Sequence, residues 1–96
     1  MAAYVIFQAD VTDEAQYERY RAATPATIAA GGGRFLVRGG ATTVLEGDAV
    51  AGRTVIVEFP DRQAALEWYH GAGYTAARAL RATAATGRMY IVDGVD

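Results

Sequence analysis

The chain has 96 residues and a mass of 10.2 kDa, the length of one domain spanning residues 1–96. Its 52% hydrophobic and 21% charged residues exclude a disordered tail, and eleven acidic against nine basic residues argue against a nucleic-acid partner. No apolar run approaches the roughly 20 residues of a membrane span, and no basic region with an apolar stretch opens the chain, so a soluble, cytoplasmic protein without signal sequence or membrane association is expected.

Ala3 to Val11 is rich in β-formers and predicts a strand. Asp13 and Gln16 have the spacing of a capping box, which predicts a helix from near Glu14 to about Ala30. Tyr17, Tyr20, Thr24 and Ile28 fall on one stripe of it, the expected buried face. Pro25 lies inside this pattern and is expected to kink or split the helix. Gly31-Gly32-Gly33 is a strong stop.

Arg34 to Arg38 predicts a second strand, broken by Gly39-Gly40, with Thr42 to Glu46 a short continuation or hairpin partner. Gly47 to Arg53 is a polar turn, and Thr54 to Phe59 the cleanest strand in the chain. Asp61 caps a helix that runs to about His70. Gly71-Ala72-Gly73 interrupts it, and helical character resumes from Tyr74 to Ala85. Gly87 to Val92 is the last strand, and Asp93 to Asp96 a tail.

This β-α-β-β-α-β order predicts an α+β, ferredoxin-like subunit: a four-stranded antiparallel sheet with its helices on one face. One strand parity is apolar throughout: Val5, Phe7, Ala9, Phe35, Val37, Val55, Val57, Phe59, Met89 and Ile91. The other mixes Tyr4, Ile6, Leu36, Ile56 and Tyr90 with Gln8, Asp10, Arg34, Arg38, Glu58 and Arg88. A mixed face of that kind is expected to be an interface, and the natural partner of Glu58 on it is Arg38.

The composition narrows the chemistry. There is no Cys, Ser, Lys or Asn, and every basic residue is Arg. Disulfides, thiolate metal sites, the usual Ser or Cys triads, lysine Schiff bases and P-loops are excluded. A single His rules out the common multi-His metal sites within one subunit, so no metal and no cofactor are expected. Gly31-Gly32-Gly33 follows a helix instead of opening one, unlike a dinucleotide fingerprint.

Trp68, Tyr69 and His70 close the second helix, and Tyr74, Arg78 and Arg81 then share one helical stripe. With Tyr17 from the first helix they form a candidate pocket: an aromatic wall with guanidinium forks suited to a carboxylate or enolate oxygen. His70 and Tyr74 are the candidate acid–base groups; Tyr17, Trp68, Tyr69, Arg78 and Arg81 the candidate binding groups. The bland reading of the same residues is core packing for the aromatics and a solvated helix end for His70.

The segments PATIAAGGGRFLVRGG (Pro25 to Gly40), VLEG (Val44 to Gly47) and VIVEFPDRQAALEWYHGAGYTAARALR (Val55 to Arg81) resemble the family catalogued as domain of unknown function 1330, of the dimeric α/β-barrel superfamily. The resemblance covers nearly the whole chain and implies a ferredoxin-like subunit whose sheet packs on that of a second copy. The family's usual S-P-E-Y after the Trp-Tyr pair stands here as Gly71-Ala72-Gly73-Tyr74, so its Tyr is kept and its acidic residue lost. Two functions are open at this point. One is a non-catalytic homodimer that binds a small acidic or aromatic metabolite. The other is a cofactor-independent isomerase, cyclase or oxygenase working by proton transfer with Arg stabilising an oxyanion, as the wider superfamily implies.

Overall fold

Alternation along β1 (Ala3–Val11) sets the two sides of the molecule: Val5, Phe7 and Ala9 are buried, while Tyr4, Ile6 and Gln8 point the other way. The computed structural model describes residues 1–50 and 52–95. Ala51 and Asp96, in the expected turn Gly47–Arg53 and the expected tail, lie outside the described residues.

Helix α1 (Glu14–Ala30) follows β1 and leads to β2 (Arg34–Arg38) and β3 (Arg53–Phe59). Helices α2 (Arg62–His70) and α3 (Ala72–Arg81), separated by Gly71 alone, precede β4 (Ala85–Asp93). All strand pairings are antiparallel, in the order β2-β3-β1-β4. This is the ferredoxin-like α+β arrangement expected from the element order. No helix among the described residues is long and apolar enough to cross a membrane.

The helix ends follow the sequence signals. Asp13 Oδ1 accepts the Gln16 N–H at 3.1 Å, and Asp61 Oδ1 accepts the Ala64 N–H at 2.8 Å. The Gln16 side chain does not complete the capping box; its Nε2 donates to the Leu80 carbonyl at 2.9 Å and ties α1 to α3. Gly32, at φ +81°, turns the chain out of α1, and Gly33 N–H returns to the Ile28 carbonyl at 2.9 Å.

Four expectations are corrected. Pro25 does not split α1, which is one helix through it. The missing N–H leaves the Arg21 carbonyl without its helical donor, and Arg38 Nη2 supplies one at 2.7 Å. Thr42 to Glu46 is not a strand; residues 40–50 form an exposed connection. Helix α3 stops at Arg81 instead of Ala85, because the Ala84 carbonyl turns to accept the Thr12 and Asp13 N–H groups, so β4 begins at Ala85.

The fourth correction concerns the face of Arg38. Phe35 pairs with Val57, but the next partner pair is Val37 with Ile56, so Leu36 is an extra residue in a β-bulge. Beyond it every side chain changes face. Val37 joins the open face beside Ile56, and Arg38 pairs with Val55 on the helix side. Glu58 therefore meets Arg34, not Arg38, with Arg34 Nε donating to Glu58 Oε1 at 2.8 Å.

The core between sheet and helices is largely aromatic. Tyr17, Phe59 and Tyr74 are its largest fully buried side chains. Ring contacts run from Phe59 to Trp68 (5.3 Å), Trp68 to Tyr74 (4.1 Å), Tyr74 to Tyr20 (6.2 Å) and Tyr20 to Tyr17 (5.4 Å). Among the described residues no helix covers the opposite sheet face, which exposes Leu36, Val37, Tyr90 and Val92 beside half-buried Tyr4, Ile6 and Ile56.

Candidate functional site

A cavity opens between α1 and the β2–β3 half of the sheet. Its inner walls are apolar: Val5, Phe7, Ile28, Phe35, Val55, Val57 and Met89, with Trp68 among them. Tyr17, Tyr20 and Thr24 form the α1 side, and Arg21, Arg38 and Arg53 the remaining lining. About 30 Å³ accommodates the centres of water-sized atoms, within some 410 Å³ that includes the solvent-facing mouth.

Each element delivers its residue for a local reason. The 3.6-residue period of α1 puts Tyr17, Tyr20 and Thr24 on its buried stripe, and Arg21 beside them. The Leu36 bulge turns Arg38 toward α1, where the Arg21 carbonyl fixes its guanidinium; the same guanidinium lies 4.6 Å from the Phe35 ring centre. Arg53 shares the parity of Val55 and Val57, so it also points to the helix side. Its guanidinium sits 5.6 Å from the Tyr17 ring centre, and Nη2 reaches the Arg38 carbonyl at 3.4 Å. Gly39, at φ +74°, gives it room: a Cβ there would stand 2.5 Å from Arg53 Nη2.

Tyr20, which lines the cavity, belongs to a hydrogen-bonded phenol pair. Tyr20 and Tyr74 share a bond of 2.8 Å between their hydroxyls, in a buried setting. Arg81 Nη2 approaches Tyr74 Oη at 3.4 Å, and its guanidinium lies 4.7 Å from the Phe7 ring centre and 5.4 Å from that of Tyr20. Burial pushes the Tyr20 phenol well above its ordinary value, and Tyr74 adds to the shift. Burial also raises Tyr17, while the guanidiniums of Arg53, Arg81 and Arg21 pull it partly back. Three cations thus act on one phenol.

The balance of charge here is one-sided. Arg21 Nη1 pairs with Glu18 at 3.1 Å. Among the described residues, no carboxylate lies within 4.0 Å of Arg38, Arg53 or Arg81. The Nε atoms of Arg21, Arg53 and Arg81 are buried and have no acceptor among the described residues. Guanidinium N–H groups in that condition are complementary to an anionic oxygen.

The structure joins some of the sequence-predicted residues and separates others. Tyr17, Trp68, Tyr74 and Arg81 belong to one contiguous cluster around and under the cavity. Tyr69 packs on the outer side of Trp68 and Tyr74 and accepts a hydrogen bond from Arg78, whose guanidinium lies 4.7 Å from its ring centre. His70 is exposed, edge-on to Tyr69, and does not line the cavity. Arg21, Arg38 and Arg53 were missed. Arg53 falls at the end of the expected turn Gly47–Arg53, and the hidden bulge reverses Arg38; the apolar parity of β3, extended back by two residues, is the signal that finds Arg53. No group of three or more His, Cys, Asp or Glu side chains comes together among the described residues.

The fold is shared with solved structures of low sequence similarity. One is the RPA0582 protein of unknown function from Rhodopseudomonas palustris, at TM-score 0.77 and 15% identity, covering 99% of this chain and 83% of that one. Another is SnoaB from Streptomyces nogalater, a cofactor-independent oxygenase, at TM-score 0.65 and 18% identity, covering 99% and 94%. At such identities the likeness shows the fold alone. No curated protein matches the sequence. The model of one family does match, over residues 2–95, and by it the chain belongs to the family described as a domain of unknown function, DUF1330.

Proposed function

We propose that this protein is a homodimeric small-molecule-binding domain that holds an acidic or aromatic metabolite between α1 and the sheet. The observation that carries this reading is the pair of guanidiniums at Arg38 and Arg53 lining a cavity with Tyr17 and Tyr20, without a carboxylate within 4.0 Å of either among the described residues. Tyr17, Tyr20 and Trp68 supply the aromatic wall, with Tyr74 and Arg81 packed behind it. Tyr69, His70 and Arg78, at the outer end of α2 and α3, stand behind that wall and act on the ligand only by supporting it. The open sheet face, with Ile6, Leu36, Ile56 and Tyr90, is the surface for a second copy, as in the dimeric α/β-barrel plan. Thermal-shift screening with a library of small carboxylates and ketones tests the reading, with product analysis of every hit. Stabilisation by acidic members without turnover is the expected result; no stabilisation by any member refutes it.

A second reading, proton-transfer catalysis, is favoured by the buried Tyr20–Tyr74 hydroxyl pair next to Arg81. Tyr17 would exchange a proton with the ligand while a guanidinium stabilises the developing oxyanion. SnoaB, a cofactor-independent oxygenase, has a related fold, which is analogy only. Turnover that Tyr17→Phe abolishes while ligand binding persists distinguishes this reading from simple binding.

A further inference from the structure

Resting on the binding reading above, we propose that the ligand is a monocarboxylate with a compact apolar tail, its carboxylate held between Arg38 and Arg53, and that Pro25 is the residue positioning Arg38 for it. The two arginines come from adjacent strands and both line the cavity, and Arg53 Nη2 reaches the Arg38 backbone carbonyl at 3.4 Å. Arg53 keeps a buried Nε with no acceptor among the described residues. Two planar guanidiniums lining one cavity suit the two oxygens of a single carboxylate. Inside, Ile28, Phe35, Val55 and Val57 are apolar, and of the hydroxyls on the α1 side those of Tyr20 and Thr24 are engaged with Tyr74 Oη and the Tyr20 carbonyl, so the interior offers little to a second charge and the remainder of the molecule is apolar. Arg81, the next cation, is already stacked on Phe7 and Tyr20. The narrow interior keeps the tail compact.

Arg38 is on the surface and long, so holding it in one place needs an anchor. The anchor is the Arg21 carbonyl, which is available only because Pro25, four residues on, has no N–H to donate to it. Pro25→Ala supplies that N–H. The helix gains a hydrogen bond and Arg38 loses its fixed acceptor, so stability and ligand affinity should move in opposite directions.

Trp68 is the only tryptophan and lines the cavity, which makes its emission the readout. The probes are propionate, its neutral analogue propionamide, and inorganic phosphate, titrated at constant ionic strength. Propionate is expected to change the emission saturably, and propionamide and phosphate to bind at least about tenfold more weakly, the scale of one lost charge-assisted contact. Arg38→Gln and Arg53→Gln should each weaken propionate by about tenfold or more. Arg34→Gln, on the opposite sheet face, should leave it unchanged. Pro25→Ala should weaken propionate several-fold while its melting temperature is equal or higher. Propionamide or phosphate binding as well as propionate, or unaltered affinity in both arginine variants, overturns the ligand class while leaving a small-molecule cavity in place. Unaltered affinity in Pro25→Ala overturns the positioning role. No saturable response to propionate or propionamide overturns the inference alone when the wider library yields a hit, and the binding reading with it when the library yields none.

Discussion

The Tyr20–Tyr74 hydroxyl pair offers a stringent test of how the core is held. Each single change, Tyr20→Phe or Tyr74→Phe, removes one oxygen and leaves the ring in place. The surviving hydroxyl then loses its 2.8 Å partner in a buried setting. Its substitutes are poor: Met89 Sδ lies 4.0 Å from Tyr74 Oη, and Arg81 Nη2 lies at 3.4 Å. Stranding a buried hydroxyl costs about 1–3 kcal/mol. In a domain of this size that lowers the melting temperature by roughly 4–8 °C per kcal/mol. Tyr74→Phe should cost more than Tyr20→Phe, because Arg81 loses its acceptor as well. The double variant strands neither phenol and should cost less than the two singles added, with a coupling of about 1 kcal/mol or more. Urea unfolding of wild type and the three variants, followed by Trp68 emission and far-UV circular dichroism, measures the cycle. Additive losses would refute the pairing and leave Arg81 or solvent as the true partner of each phenol.

Alkaline pH should act through two of these tyrosines. Tyr17 and Tyr20 have raised folded-state values, so they keep their protons above pH 10, where the unfolded chain loses them. Their contribution is whole below about pH 10 and falls as pH rises further; stability constant to pH 12 refutes it. Gly39→Ala places a Cβ 2.5 Å from Arg53 Nη2 at φ +74°. It should cost about 1–2 kcal/mol and displace the guanidinium, read as a lower melting temperature with weakened ligand binding. The Arg34–Glu58 pair is 72% and 25% exposed in the single subunit, so Glu58→Ala should cost a monomer no more than about 1 kcal/mol. A larger, concentration-dependent loss is expected if the open face is the dimer interface. Light scattering of wild type at micromolar concentration should then report twice 10.2 kDa, and a clean monomer would refute the homodimer.

Where local chemistry decides the structure, the sequence is readable. Asp13 and Asp61 cap helices because a carboxylate accepts an orphan N–H three residues on. The glycines after Ala30 end α1 because Gly32 adopts a positive φ. The alternation of β1 and β3 assigns faces because both strands pair in register over their length. The site is less readable for equally definite reasons. Arg-Phe-Leu-Val-Arg looks like regular alternation, and nothing in five residues announces that Leu36 is skipped by its partner strand. Tyr20 and Tyr74 are 54 positions apart, and their bond exists only once α1 and α3 are packed together. The helical spacing of Tyr74, Arg78 and Arg81 suggests one clamp, yet Arg78 turns outward to Tyr69 while Arg81 turns inward to Tyr74.

The two irregularities of the backbone act on the same atom group. Proline in a helix interior normally costs about 3 kcal/mol, much of it through a lost hydrogen bond, and a bulge leaves one residue of a ladder unpaired. Either alone weakens its element. Here the carbonyl released in α1 by Pro25 is taken up by the arginine that the bulge in β2 has turned toward it, at 2.7 Å. Each defect is offset by the other across the gap between helix and sheet. The pairing joins two residues that line the cavity, so β2 and α1 are fastened beside it. Local departures from the rules of helix and strand are most informative when they meet at one place. That convergence, more than any single side chain, is why the site is assigned to the α1–β2–β3 side of the fold and not to the exposed end of α2 that carries His70.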